Sequence, residues 1–232
     1  MRIKLLIIDK MKKFILIAMM LHICAYVSSQ RAALSDYKAV KAKDGRMWLD
    51  RNLGAERVAN SSDDSLSYGD LYQWNRSNDG HQKRNSEVSD KGPVSEPSEA
   101  GSFFYTAEIF FYVWTFPLIT QPVGKEKNVW SADANPCPRG FRVPTADEWQ
   151  NLLNQEGIIN ASSAFSSTLK LPAAGFRDSN NGKLFSLGKA GSYWSSSLQG
   201  SLRTYYLKFS SHGANIIDHS KCSGFSIRCI AE

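Results

Sequence analysis

The chain has 232 residues, 42% hydrophobic and 12% aromatic, which is enough apolar side chain for a substantial core and excludes a disordered or low-complexity sequence. Its formal net charge is +6, but residues 1–29 hold Arg2, Lys4, Lys10, Lys12 and Lys13 against Asp9, a net +4, so only +2 remains beyond them. That remainder has no basic excess of the kind that binds phosphate backbones, and no nucleic-acid partner is expected.

From Met11, the expected start, the text reads MKKFILIAMMLHICAYVSSQ, with two lysines, a short apolar run and the small residues Ser28 and Ser29. This is the pattern of a secretory signal peptide over residues 1–29, with cleavage after Ser29. The apolar run is shorter than the roughly 20 residues a bilayer span needs, so no stable transmembrane segment is expected after cleavage. Cys24 follows Leu21-His22-Ile23 rather than a small residue, which argues against lipid attachment. The protein is therefore expected to be exported, to the periplasm, the outer surface or the medium, as one domain over residues 30–232. Cys137, Cys222 and Cys229 remain, an odd number that suggests one disulfide and one thiol. None lies in a CxxC pair and the histidines form no cluster, so neither a metal site nor a cofactor is expected.

In chain order, Ala39–Lys43 and Met47–Leu49 read as a strand pair turned by Asp44-Gly45. Residues 60–67 are a polar loop. Tyr68, Tyr72 and Trp74 mark a short buried helix or turn, with core packing favoured over a ligand platform. Residues 75–100 are polar and read as a long loop. The apolar, aromatic stretch 103–119, interrupted by Glu108 and Pro117, reads as a covering segment on the core, with a partner surface as the alternative. Thr145 and Glu148 then form a capping box, with Pro144 and Trp149 at staple positions. Trp149, Leu152 and Leu153 fall on one helical face, and Gly157 ends the helix. Pro136 and Pro138 stiffen the approach and fix Cys137 beside the helix entrance. Short strand-like pieces follow at Leu169–Leu171, Phe176, Leu184–Leu187, Tyr193–Ser197, Tyr205–Phe209, Ala214–Ile217 and Phe225–Ile230, and Asn180-Asn181-Gly182 marks a turn. Alternation places Tyr205, Leu207 and Phe209 on one face. The fold class is α+β, with few helices, short twisted antiparallel strands and long loops.

Four segments, DGRMWLDRNLGA (44–55), SYGDLYQWNRSNDGHQ (67–82), NPCPRGFRVPTADEWQNLL (135–153) and LPAAGFRD…GSYWSSS…FSIRCI (171–230), resemble the Fibrobacter succinogenes major paralogous domain family. The resemblance implies a C-type-lectin-like fold, the group that also holds the formylglycine-generating enzyme domain, and a surface or secreted protein with no established activity. Asn75, where the family pattern would have glycine, and the stretch 103–119 depart from it. In the lectin-like fold the first helix region and the last strand lie side by side, which implies a Cys137–Cys229 disulfide and leaves Cys222 as the thiol. The short Cys222–Cys229 loop is the rival pairing.

A binding module, its ligand a glycan or a protein, is the expected function, with a structural or adhesive surface subunit as the alternative. An oxidase like the sulfatase-modifying relatives would need a reactive cysteine pair near the C-terminal strands. Cys222 and Cys229 are the candidates there, without a matching motif. Ser195, Ser196 and Ser197 lie outside any GxSxG elbow and read as a strand-turn device. No catalytic residue is assigned, and the protein is not expected to be an enzyme. Asp178, Asn180 and Asn181 could contact a sugar or Ca²⁺, although a turn is the simpler reading. Trp194 could stack on a sugar ring, although its place in a strand favours the core. The EPN and WND triplets of calcium-dependent lectins are absent, so calcium-mediated sugar binding is disfavoured.

Overall fold

Asp44-Gly45 closes the first hairpin as the sequence requires, with Gly45 at φ +81° and the Asp44 carboxylate accepting from the Arg46 N–H and the Trp48 indole N–H. The computed structural model describes residues 37–90, 101–104, 130–200 and 203–232, and Ala39–Glu232 forms one compact unit. The expected signal peptide, Cys24, residues 91–100 and most of the stretch 103–119 lie outside the described residues. In that first hairpin β1 (Ala39–Lys41) pairs with β2 (Met47–Leu49). The described residues contain two α-helices and mostly antiparallel sheets, an α+β fold.

β2 continues through the last strand of the chain. Trp48 pairs with Ile230 of β13 (Ile230–Ala231), and β13 pairs in turn with β6 (Phe141–Arg142), giving the order β1-β2-β13-β6. The Cys137–Cys229 disulfide closes beside this pairing, with a Cα–Cα distance of 6.0 Å across 92 residues of sequence. Both cysteines sit just ahead of paired strands, so the sheet itself sets a separation that a disulfide spans.

The helix predicted from Thr145 is α1, Ala146–Glu156. The Thr145 hydroxyl accepts from the Glu148 N–H at 3.2 Å, and the Glu148 carboxylate accepts from the Thr145 N–H at 2.8 Å. Gly157 adopts φ +69° as the left-handed cap. Trp149, Leu152 and Leu153 are buried, packed with Trp48, Leu169, Leu171, Tyr193, Leu207, Phe209 and Ile230. A second helix, α2 (Ala161–Ser166), carries its own Asn160–Ser163 capping box. Leu169–Leu171, read from sequence as a strand, is instead a buried turn behind α2. Its N–H groups are satisfied by Ser167 and Ala164 carbonyls rather than by a ladder.

β9 (Ala190–Gln199), β10 (Arg203–Ser210) and β11 (Gly213–Ser220) form the long antiparallel sheet on which α1 packs. Gly191 admits the Phe209 ring, which a Cβ there would strike. A bulge interrupts the register between Thr204 and Tyr206, and both faces of β10 are covered, so Tyr206 is buried as well as Leu207 and Phe209. Tyr206 faces Phe225 at 4.5 Å and Trp194 at 6.1 Å between ring centroids, on the side away from α1. Behind this lies the order β3 (Tyr72–Gln73), β12 (Gly224–Phe225), β7 (Phe176–Arg177), β8 (Leu184–Phe185), while β4 (Val88–Ser89) and β5 (Phe103–Phe104) pair in parallel.

The arginine of the FSIRCI segment ties these layers together. Arg228, 1% exposed, donates from Nε and a terminal nitrogen to the Asn52 side-chain oxygen and from its other terminal nitrogen to the Leu169 carbonyl at 2.7 Å. Asn52 donates onward to the Tyr193 hydroxyl and the Tyr68 carbonyl. A buried guanidinium is tolerated only when its donors find acceptors, and here backbone carbonyls and an amide supply them.

Candidate functional site

The residues picked out by sequence do not converge. Asp178, Asn180 and Asn181 form the β7–β8 turn, where the Asp178 carboxylate accepts from the Asn180 N–H at 2.7 Å and the Asn181 side-chain oxygen accepts from the Lys183 N–H at 2.9 Å. These oxygens serve the turn itself. Trp194 lies in the core, the reading its place in a strand favoured, and the ligand-contact alternative is corrected. It is 0% exposed, packs on Phe225 with ring centroids 4.1 Å apart, and donates from Nε1 to the Tyr72 carbonyl at 2.5 Å. A ring without exposed surface has no face to offer a sugar.

The WSSS run is a clamp on the entrance of α1. The Ser196 N–H donates to the Pro144 carbonyl at 2.7 Å, the Ser197 hydroxyl accepts from the Ala146 N–H at 3.0 Å, and the Trp149 indole N–H donates to the Trp194 carbonyl at 3.0 Å. Residues 75–90, expected as loose polar loop, fold inward. Arg76, His81 and Gln82 are buried with hydrogen bonds mostly to nearby residues, Arg76 to the Gln73 side chain and to the Ser102 carbonyl, His81 from the Gln73 N–H and Gln82 from the Gly80 N–H. His81 carries an arrangement that resembles an acid–base dyad. Its Nδ1 lies 2.6 Å from the Asp79 carboxylate, but its Nε2 accepts from the Gln73 N–H at 3.0 Å, so the nitrogen a general base would use is occupied. Burial lowers its pKa to about 4 against the pull of Asp79, and the ring is neutral.

The other reactive groups are equally enclosed. Cys222 is 0% exposed and burial pushes its thiol up to about 12, far from a nucleophilic thiolate. The Lys221 ammonium lies 4.9 Å from the Trp74 ring centroid, with burial lowering its pKa to about 8.

A concave site does exist at the α1 entrance. A cavity of about 550 Å³ is lined by Trp130, Ala132, Asn135, Arg142, Val143, Thr145, Ser196 and Glu232. That size suits a small ligand. None of Asp178, Asn180, Asn181 or Trp194 is among its walls. β6 and the capping box place Arg142 and Thr145, β9 places Ser196, and the residue after β13 supplies Glu232. Trp130 is held by its indole N–H on the Ala134 carbonyl at 2.8 Å and by Trp74 at 5.5 Å between ring centroids. The Arg142 guanidinium grips both Glu148 oxygens at 2.8 and 2.7 Å, and this hydrogen bonding raises its pKa. Burial would raise the Glu148 pKa, but Arg142 and the Thr145 N–H together hold it below its ordinary value. Ser196 is 4% exposed, and its hydroxyl has no hydrogen-bond partner among the described residues.

Sequence reasoning read Thr145 as a helix cap and Ser196 as a strand-turn device, and gave Asn135 and Arg142 no role of their own. Trp130 and Glu232 carried no signal, because Trp130 is placed by its contacts with Ala134 and Trp74 and Glu232 by the pairing of β13. A family profile described as Domain of unknown function (DUF8237) matches residues 151–230, the stretch from within α1 into β13. No curated protein and no solved structure matches the chain.

Proposed function

We propose that this protein is an exported binding module that acts by holding a ligand, with an architecture like that of the C-type-lectin group and a sequence resembling the Fibrobacter succinogenes major paralogous domain family. The observation that carries this reading is the cavity at the α1 entrance, which offers an aromatic wall, hydroxyls, an amide and one charge of each sign. These are groups that orient a ligand. The thiol chemistry an oxidase would need is committed elsewhere, with Cys229 bonded to Cys137 and Cys222 sealed in the core. The disulfide suits an oxidising compartment, and no helix among the described residues is long and apolar enough to cross a membrane.

A thermal-shift screen of the protein against saccharides, short peptides and small metabolites tests the proposal. A ligand that binds the native state raises its melting temperature, by about 2.7 kcal/mol of stabilisation at a hundredfold excess over Kd. Ala132 is exposed at the cavity wall, so Ala132→Trp should abolish the shift while leaving the unliganded melting temperature unchanged. A ligand that stabilises both proteins equally would place binding elsewhere, and turnover of the ligand would overturn the non-catalytic reading.

A further inference from the structure

The sheet on which α1 packs is closed along one edge and open along the other. Its β9 edge is tied to the rest of the fold. The Gly175 N–H donates to the Ala190 carbonyl at 2.8 Å, the Ser226 N–H to the Ser192 carbonyl at 3.0 Å and the Ser196 N–H to the Pro144 carbonyl at 2.7 Å. β11, at the opposite edge, has β10 on one side and no strand on the other among the described residues. It runs for 8 residues, whereas the outer strands of the other sheets have two or three. We propose that β11 pairs antiparallel with β11 of a second copy of this chain, joining two three-stranded sheets into a continuous one.

Hydrogen bonding fixes the kind of partner. Ser210 and Gly213 close the two-residue turn Ser211-His212, and the closing pair of such a turn exchanges its bonds across the hairpin. Gly213, Asn215 and Ile217 therefore commit their N–H and C=O groups to β10, while Ala214, Ile216 and Asp218 turn theirs outward. The Asp218 carbonyl agrees with this, since it accepts from a terminal nitrogen of Arg203 at 3.0 Å. The outward groups of Ala214 and Ile216 lie at strand spacing, an array that another extended strand matches in full. Both side chains pack against the core, so the edge is ordered before a partner arrives.

The strand's own sequence makes the partner a second copy. With Asn215 on a two-fold axis, Ala214 lies opposite the partner's Ile216 and each such pair exchanges its outward bonds. Ile217, 38% exposed, then lies over the partner's Gly213. A Cβ at Gly213 would meet nothing nearer than the Asn215 amide nitrogen at 3.6 Å, so there is room for it. Charge permits the approach. Gly213–Ser220 holds no lysine or arginine, and the Asp218 carboxylate already accepts from Arg203 Nε within its own chain. Edge strands are commonly blunted by lysine, proline or a bulge. β11 has neither residue, and the bulge of this sheet lies between β9 and β10. None of the β11 residues lines the cavity, so the pairing stands or falls independently of the binding reading.

Sedimentation equilibrium of the intact protein over a concentration series tests it. A reversible monomer–dimer equilibrium is expected. Asn215→Lys sets two ammonium groups against each other on the axis and should weaken dimerisation roughly tenfold or more. The melting temperature of the monomer should change little, because Asn215 is exposed. Asn215→Asp should weaken dimerisation less, because Lys208 lies opposite Asn215 in the same chain. Mixing the two variants should restore association as a heterodimer, which a general effect on folding would not do. A monomer at every concentration up to about 1 mM overturns the proposal. A dimer that both variants leave unchanged overturns β11 as the contact. A mixture that associates no more tightly than either variant alone overturns the pairing across Asn215.

Discussion

His81 is held at zero exposure between an acceptor and a donor, and this fixes both its tautomer and its pH response. Nδ1–H points at Asp79, so Nε2 must stay unprotonated to accept from Gln73. A second proton would set two N–H groups against each other, beside the positive field of Arg76 and Arg177. The folded pKa of about 4 lies below the ordinary 6.5, so between these values the unfolded chain binds a proton that the folded chain refuses. The stabilisation is therefore complete above about pH 6.5 and declines as pH falls through this window, a loss of about 3 kcal/mol by pH 4. Urea unfolding from pH 7.5 to 4 should display this slope in the wild type and a shallower one in His81→Gln. Equal slopes between pH 6.5 and 5 would remove His81 from the account. Asn75 illustrates the same scale differently. It stands where the resembled family would have glycine, and it adopts φ +60°, which asparagine tolerates better than most side chains. Its side-chain oxygen accepts from the Ser131 N–H at 2.7 Å, an anchor that glycine could not supply.

Among the elements, α1 shows how one helix is fixed at both ends and along one face. The capping box and Gly157 set its limits, and the WSSS strand bonds to its entrance from across the sheet. Trp149 is the central contact, 0% exposed and 4.9 Å from the Trp48 ring centroid, with its indole N–H on the Trp194 carbonyl. Trp149→Ala would lose packing area, leave a cavity and orphan that buried carbonyl. We expect it to destabilise the protein by about 3–5 kcal/mol in urea unfolding. A variant melting within a degree or two of the wild type would mean that the helix draws its stability from elsewhere.

For the molecule as a whole, the decisive link is between the chain's middle and its end. β13 lies between β2 and β6, and the disulfide locks the same junction. Closing a loop of 92 residues restricts the unfolded chain by roughly 4–5 kcal/mol in the chain-entropy account, with measured effects often smaller. The double variant Cys137→Ser/Cys229→Ser should unfold at markedly lower urea. Non-reducing peptide mapping should recover Cys137 joined to Cys229. Iodoacetamide should leave Cys222 unmodified in the native protein and label it on unfolding, because its thiol is buried and its pKa is raised to about 12. A cross-linked Cys222–Cys229 peptide would contradict the fold at this junction.

The sequence by itself determined the features whose physics is local. Thr145 with Glu148, the i, i+3, i+4 spacing of Trp149, Leu152 and Leu153, and the Gly157 stop act within a few residues, as does the Asp44-Gly45 turn. Each therefore reads correctly without knowledge of its surroundings. The short α2 lacks a long apolar period, and its capping pair went unread. Tertiary structure alone decided which polar residues turn inward. Arg76 and His81 look like loop residues until Gln73 is anchored on the Cys222 carbonyl across the fold and the Ser102 carbonyl accepts from Arg76. The pairing of Cys137 with Cys229 was implied by a family resemblance and left open by spacing, and the β13–β6 pairing settled it. The cavity is the extreme case. Its walls come from Trp130, Arg142, Ser196 and Glu232, which no sequence period connects. Ser196 joins these walls only because strands from remote parts of the chain meet there, and burial and hydrogen-bond satisfaction depend on neighbours in space.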